Sequence, residues 1–309
     1  MKQEIADYKE LRKKCELLQD NQFKFGQSFI NIAYPLAYHY KIELEGEENI
    51  PTDTNVIFVL NHSNSHDILT AYKFLSMLKQ KRKGSVMVAT DCLSPLTNGL
   101  FKISNATTLD RRIQEERALA PLIMSNKIFN GYDGVIFGEA TWNLHPFLVM
   151  HNVHKGASLI AAITQRPVVP VIMEYIEKDG LYASDSELYE KCVIRFCKPI
   201  EVKESSNLIT QTNIIKDSMI QTRKELWKDY NRYREKLSDI DPLEYLNHVY
   251  VKKFKALGFT YHSLEEQQFL LFLKGEAIEN EYTLNENGIL VPGITEKNEY
   301  REKVKLLIK

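Results

Sequence analysis

The run Val56-Ile57-Phe58-Val59-Leu60 has no polar residue at either of the two alternating sets of positions that a strand presents to its two faces. A strand made from it is buried on both sides, and that requires helices above and below its sheet. The rest of the chain agrees. Strand-like runs at 40–45, 55–60, 85–90, 134–138, 168–174 and 191–197 are interleaved with helical patterns at 67–79, about 111–129 and 155–165. The expected fold is α/β: a largely parallel sheet flanked by helices, with N-terminal helices and a helical C-terminal extension. The expected division is a helical segment at 1–39, an α/β domain at 40–205, and a mainly helical extension at 206–309. In the extension a long polar helix at 205–236 bears Ile209, Ile215, Met219 and Trp227. Pro242 opens a helix that Gly258 ends, Ser263-Leu264-Glu265-Glu266 is a capping box, and Asn285-Glu286-Asn287-Gly288 is a turn.

The apolar run ends in Asn61-His62-Ser63-Asn64-Ser65-His66-Asp67. In a regular helix, side chains five positions apart stand about 140° apart around the axis and do not meet. His62 and Asp67 meet if His62 lies in the turn and Asp67 in the first helical turn. There the carboxylate favours the positive end of the helix dipole and takes the proton of one ring nitrogen, so that the other acts as a base. The same residue types also serve as ordinary turn and N-cap residues.

Three downstream segments weigh against capping alone. Gly99-Leu100-Phe101 leads to Leu109-Asp110-Arg111-Arg112; Phe137-Gly138-Glu139-Ala140-Thr141 follows a strand; and Lys155-Gly156-Ala157 precedes Pro167-Val168-Val169-Pro170-Val171. With H-x-x-x-x-D, and with Gly46 to Pro51 and Cys197-Lys198-Pro199-Ile200 at the borders, this order resembles the glycerolipid acyltransferase family, the 1-acylglycerol-3-phosphate and lysophospholipid acyltransferases, over about residues 40–205. The resemblance implies direct transfer of a fatty acyl group from acyl-CoA or acyl carrier protein to an acceptor hydroxyl of a lysophospholipid or related lipid or sugar. His62 is then the general base and Asp67 its partner. Asp110, Arg111, Arg112, Glu139, Thr141 and Lys155 are implied for substrate binding. Two readings stay open for Glu139: it binds an acceptor hydroxyl or a nearby cation, or it holds the Thr141 turn. The third motif differs from the family's usual Phe-Pro-Glu-Gly-Thr-Arg, with Gly138 for Pro, Ala140 for Gly and Trp142 for Arg. A guanidinium makes bidentate contacts to phosphate that Trp does not, so an acceptor other than lysophosphatidic acid is expected.

Composition narrows the field. Forty basic and 41 acidic residues give a net charge of -1, which argues against a general nucleic-acid binder. Cys15, Cys92, Cys192 and Cys197 form no C-x-x-C pair, and Cys192 and Cys197 face opposite sides of one strand. With no signal-peptide pattern at residues 1–8 and no apolar run of spanning length, a cytoplasmic location is expected, with peripheral contact at the inner membrane face. Phe25, Phe29, Ile32, Ala33 and Leu36 are a candidate lipid-facing stripe, of a kind that more often serves core packing than lipid anchoring. Beyond the donor thioester as substrate no cofactor and no metal is expected. The rivals are a metal-dependent hydrolase using His62, His66 and Asp67 with His145, His151 or His154, and a non-catalytic lipid- or partner-binding relative. G-x-S-x-G is absent from the sequence, which disfavours a serine hydrolase.

Overall fold

The computed structural model describes residues 21–35, 38–63, 66–90, 95–140, 143, 149–177, 189–203, 207–230, 282–284 and 290–292. The readings made for residues 4–20, for the helices after Pro242 and Ser263, and for the turn at 285–288 lie outside these residues, as do Cys15, Leu36 and Cys92. A helix at 21–35 (α1) is followed by β1 (Lys41–Glu45), β2 (Ile57–Leu60), α2 (Asp67–Met77), β3 (Gly84–Ala89), α3 (Pro95–Ile103) and β4 (Thr107–Leu109). Then come α4 (Gln114–Phe129), β5 (Asp133–Phe137), α5 (Gly156–Thr164), β6 (Val168–Glu177), β7 (Tyr189–Phe196) and α6 (Leu208–Tyr230). A separate hairpin of β8 (Tyr282–Leu284) and β9 (Leu290–Pro292) lies within the stretch read as mainly helical.

The seven strands β1 to β7 form one sheet in the order β1-β7-β6-β2-β5-β3-β4. Its central strands run parallel, as expected. β7 is antiparallel to β6, and β1 pairs parallel with β7, so both strands of that edge are reversed. The fully apolar β2 divides its side chains between two cores: Phe58 and Leu60 face a cluster with α1, α2 and α3, whereas Ile57 and Val59 face one with α4, α5 and α6. Burial on both faces is thus realised as a three-layer arrangement.

Helices on both sides of residues 40–205 pack on the sheet. α6, placed by sequence in the extension, is part of the second layer: Ile215, Met219 and Leu226 have no exposed surface and pack beneath the sheet. α1 contributes Ile30 and Tyr34 to the first core, while Phe25 and Ile32 are exposed. The expected stripe is therefore split, and Gly26, Ile30 and Tyr34 form the inward face. α3 and β4 were not expected as separate elements. Cys192 and Cys197 do face opposite ways: Cys192 enters the first core, and the Sγ of Cys197 meets Thr222 Oγ1 of α6 at 3.1 Å.

Candidate active site

β2 and β5 are parallel neighbours, with Ile57 opposite Gly134 and Leu60 opposite Phe137. From β2 the chain crosses one face toward β3, and from β5 it crosses the other toward β6. In an open α/β sheet such a divergence leaves a crevice beyond the carboxyl ends of the strands. His62 and Glu139 both stand there, each two residues past its strand.

Asp67 is the first residue of α2. His62 Nδ1 lies 2.7 Å from Asp67 Oδ2, and Ser63 N–H donates to the same oxygen. Asp67 is fully buried and His62 is 9 % exposed. An ionised carboxylate only accepts, so Nδ1 carries the proton and the basic lone pair of the neutral ring is on Nε2. The imidazole is stacked on Phe137, with centroids 4.3 Å apart, which fixes its plane.

The backbone of His62 is held as firmly as its ring. Its N–H donates to Glu139 Oε1 at 2.8 Å, and its carbonyl accepts from Asn143 N–H at 2.6 Å. The other Glu139 oxygen accepts from His151 N–H at 2.7 Å. Glu139 is 1 % exposed, and burial raises its carboxyl to about 7, against the opposing pull of the Arg223 charge and the two backbone donors. Both Glu139 oxygens are thus engaged by backbone N–H groups, and the carboxylate ties the segment after β2 to the segment before α5. Asn61 supplies another brace, its side chain pairing with both Met173 N–H (2.7 Å) and Met173 carbonyl (3.0 Å), as a neighbouring strand would.

The remaining sequence-derived residues distribute as follows. Arg111 Nη1 donates to the Ala140 carbonyl at 2.6 Å, joining the Asp-Arg segment to the turn after β5. Arg112 makes a forked contact to Asp110, at 2.9 and 2.6 Å, and holds that carboxyl down at about 2. Lys155 stands exposed at the start of α5. Thr141, Trp142 and His145 lie outside the described residues.

The i, i+4 pairing of His62 and His66 on one helical face, which the metal-hydrolase rival needs, does not occur, because α2 begins only at Asp67. The His66 ring is stacked on Tyr38 (4.1 Å) and Tyr40 (5.7 Å), with Tyr189 edge-on at 5.5 Å. Among the described residues no three His, Cys, Asp or Glu are grouped to hold a metal ion.

Gly138, where the resembled family has Pro, is explained by packing and by hydrogen bonding. Its N–H donates to the Leu60 carbonyl at 2.8 Å, which a Pro would forfeit. A Cβ there would come within 2.9 Å of Val59 Cγ1. An apolar cavity of about 150 Å³ lies between α1, α2 and α3, lined by Phe29, Ile68, Tyr72, Leu100 and Phe101. Ile68 follows Asp67 directly, so the cavity adjoins the helix start that carries the carboxylate. Asn61 and Asn143 were not identified as functional from sequence, and His151 was named only as a possible metal ligand. Of these only Asn61 carries a local signal, a polar residue at the tip of an apolar run.

Residues 41–174 match the family model described as Acyltransferase. A comparison with curated proteins finds no match. Among solved structures, the chain is similar to the 1-acyl-sn-glycerophosphate (LPA) acyltransferase PlsC from Thermotoga maritima. Identity is 22 %, with 70 % of this chain and 82 % of that chain covered, at a TM-score of 0.48.

Proposed function

We propose, from the premise that residues 41–174 belong to the acyltransferase family, that this acyltransferase moves a fatty acyl group from acyl-CoA or acyl carrier protein to a hydroxyl of a lysolipid or sugar-bearing lipid. The observation that carries the reading is the buried 2.7 Å contact between His62 Nδ1 and Asp67 Oδ2 at the carboxyl edge of the sheet. Nε2 of His62 takes the acceptor's proton as its oxygen attacks the thioester carbonyl. Asp67 stabilises the imidazolium that forms. Collapse of the tetrahedral intermediate breaks the C–S bond, and the imidazolium returns its proton to the departing sulfur. An ester and a free thiol result, and no residue is acylated.

The apolar cavity beside α2 has a lining suited to a hydrocarbon chain. Trp142 in place of the family's Arg, with Arg112 engaged by Asp110, favours an acceptor whose head is neutral or a phosphodiester. Among the described residues no helix is long and apolar enough to cross a membrane. The exposed Phe25 and Ile32 of α1 support contact with a membrane surface from one side. The metal-hydrolase reading is not favoured, because the His66 ring is stacked on Tyr38 and Tyr40.

The test is mass-spectrometric detection of acylated product when the full chain is given acyl-CoA or acyl carrier protein with a panel of lysolipids and sugars. Free thiol should appear in step with ester, and His62→Ala should lower both together by about 10²- to 10⁴-fold. Absence of ester from wild type across the panel overturns the reading. On the same panel, Trp142→Arg should raise turnover of lysophosphatidic acid relative to an uncharged lysolipid of equal chain length.

A further inference from the structure

We propose that Arg223, on α6 and outside the segment that matches the acyltransferase family, is a positioning residue of the active site: its guanidinium holds both backbone segments from which His62 is suspended. The kinetic consequences rest on the acyltransferase reading; the geometry does not.

Arg223 is 4 % exposed. Its Nη1 donates to the Val149 carbonyl at 2.6 Å, and its Nε donates to Glu174 Oε2 at 3.1 Å. The Trp227 ring, one helical turn on, lies 5.2 Å from the guanidinium carbon and fixes its plane. Both hydrogen bonds lead to His62. From Val149 the chain reaches His151, whose N–H binds one oxygen of Glu139 while His62 N–H binds the other. On the second path, Glu174 follows Met173, whose N–H and carbonyl are both paired with the side chain of Asn61, the residue before His62. A planar guanidinium serves two acceptors at a fixed angle; an ammonium is a point charge with no such fork.

A purely structural need at this place would be met as well by apolar side chains, since a buried ion pair adds little net stability over a well-packed apolar pair. The charge also acts on Glu139. Among the described residues the ionisable groups around that carboxylate are Asp67 of α2, His62 and His151 of the two loops, and Arg223 of α6, which Glu174 of β6 faces in turn. Of these, Arg223 favours the ionised form that can accept from both backbone N–H groups, and Asp67 opposes it.

The experiment compares full-length wild type with Arg223→Lys, Arg223→Met, and Arg223→Met combined with Glu174→Leu. Thermal unfolding, kcat, KM for the donor, the pH profile of kcat and amide hydrogen exchange are measured on each. The double variant is expected to unfold near the wild-type temperature and yet lose about tenfold to a hundredfold in kcat. Its KM should change less than about twofold, as for a group acting on the chemical step alone. The acid limb of kcat should move to higher pH, and Arg223→Lys should return that limb without restoring full kcat. Exchange should quicken at residues 61–63 and 149–151 and stay unchanged within α6. Wild-type kcat and exchange at those loops in the double variant overturn the proposal, as does quickened exchange confined to α6. Should wild type show no acyl transfer at all, the acyltransferase reading fails by itself, and exchange at the two loops decides the role of Arg223.

Discussion

The two ends of the β2–β5 pair are closed by the same device put to different use. At the start of β5, Asp133 Oδ1 accepts Val56 N–H at 2.8 Å; past its end, Glu139 Oε1 accepts His62 N–H at 2.8 Å. Both bonds continue the register that sets Ile57 opposite Gly134. At the first end the acid is also gripped by Arg82, whose Nε and Nη2 lie 2.6 and 2.9 Å from it and whose Nη groups bind the carbonyls of Pro51 and Thr54. At the second end Glu139 forms no ion pair among the described residues, and burial raises its carboxyl to about 7. One end has its charge neutralised on the spot and secures the fold. The other keeps a carboxylate in a costly place so that two loops stay fixed around an imidazole.

The largest effects separate the ends by observable. His62→Ala and Asp67→Asn should reduce transfer by about 10²- to 10⁴-fold, the usual contribution of a positioned base, with thermal unfolding little changed. Arg82→Met should do the reverse. It leaves Asp133, 1 % exposed, without its cation, at a cost of about 3–5 kcal/mol, while kcat per folded molecule is retained. The comparison breaks if Arg82→Met lowers kcat of the folded fraction as much as it lowers stability.

Glu139→Gln sharpens it. The amide keeps one acceptor but turns an N–H donor toward one of the two backbone N–H groups, so about 1.5–3 kcal/mol of charge-assisted bonding is lost at the turn. A fall of about 10- to 100-fold in kcat is expected. The pH behaviour also has a definite sign. Because the folded-state pKa, about 7, lies above the ordinary 4.5, the folded protein holds a proton that the unfolded chain has shed between those values. This group's contribution to stability therefore falls as pH rises from 4.5 to 7, while the clamp on His62 forms as the carboxyl ionises. Activity should drop as pH falls through about 7, and the corresponding stability slope should vanish in Glu139→Gln. Identical slopes in the two proteins would remove the carboxyl from the account.

A third prediction concerns a cation buried without a carboxylate. Lys127 Nζ is held by Ser85 Oγ and the carbonyls of Asn105 and Ala106, at 3.1, 2.8 and 3.0 Å. Burial lowers it from 10.5 to about 8. Between those values the unfolded chain binds a proton that the folded one does not, so stability should rise with pH from about 8 to 10.5. Unfolding of wild type and Lys127→Met, compared across that range, should show wild type gaining on the variant. A gap that stays constant or widens the other way means the ammonium is better neutralised than its three oxygens indicate.

The same contrast explains what the sequence discloses. His62 and Asp67 are legible because their geometry is local: a turn residue and a helix start five positions apart leave one arrangement in which they meet. Glu139 is visible as a residue but its partners are not, since they are backbone N–H groups of His62 and His151, and a backbone group leaves no mark in a sequence. Arg223 is hidden further, as one charge on a helix whose polar face has many. The layers follow from Val56 to Leu60 alone, whereas the reversal of β7 does not, because alternation reads the same in both directions along a strand. α3 and β4 escape because Pro95–Ile103 and Thr107–Leu109 are short and lie close together.

The smallest expected effect lies in the turn beyond Glu139. Ala140 has φ of 54°, in the left-handed region, at a position where the resembled family has Gly. For a residue with a Cβ this conformation costs about 1–2 kcal/mol. Its carbonyl nonetheless accepts the 2.6 Å bond from Arg111, so the turn is held in place from outside. Ala140→Gly removes the steric cost but frees the unfolded chain by about 0.5–1 kcal/mol, leaving a net gain of up to about 1.5 kcal/mol. Thermal unfolding should therefore shift upward by a few degrees at most, with kcat unchanged because Glu139 keeps both backbone partners. If the variant instead loses stability and kcat together, the Ala140 side chain is helping to hold the turn, and the strain belongs to the positioning of His62 in the way the Glu139 carboxylate does.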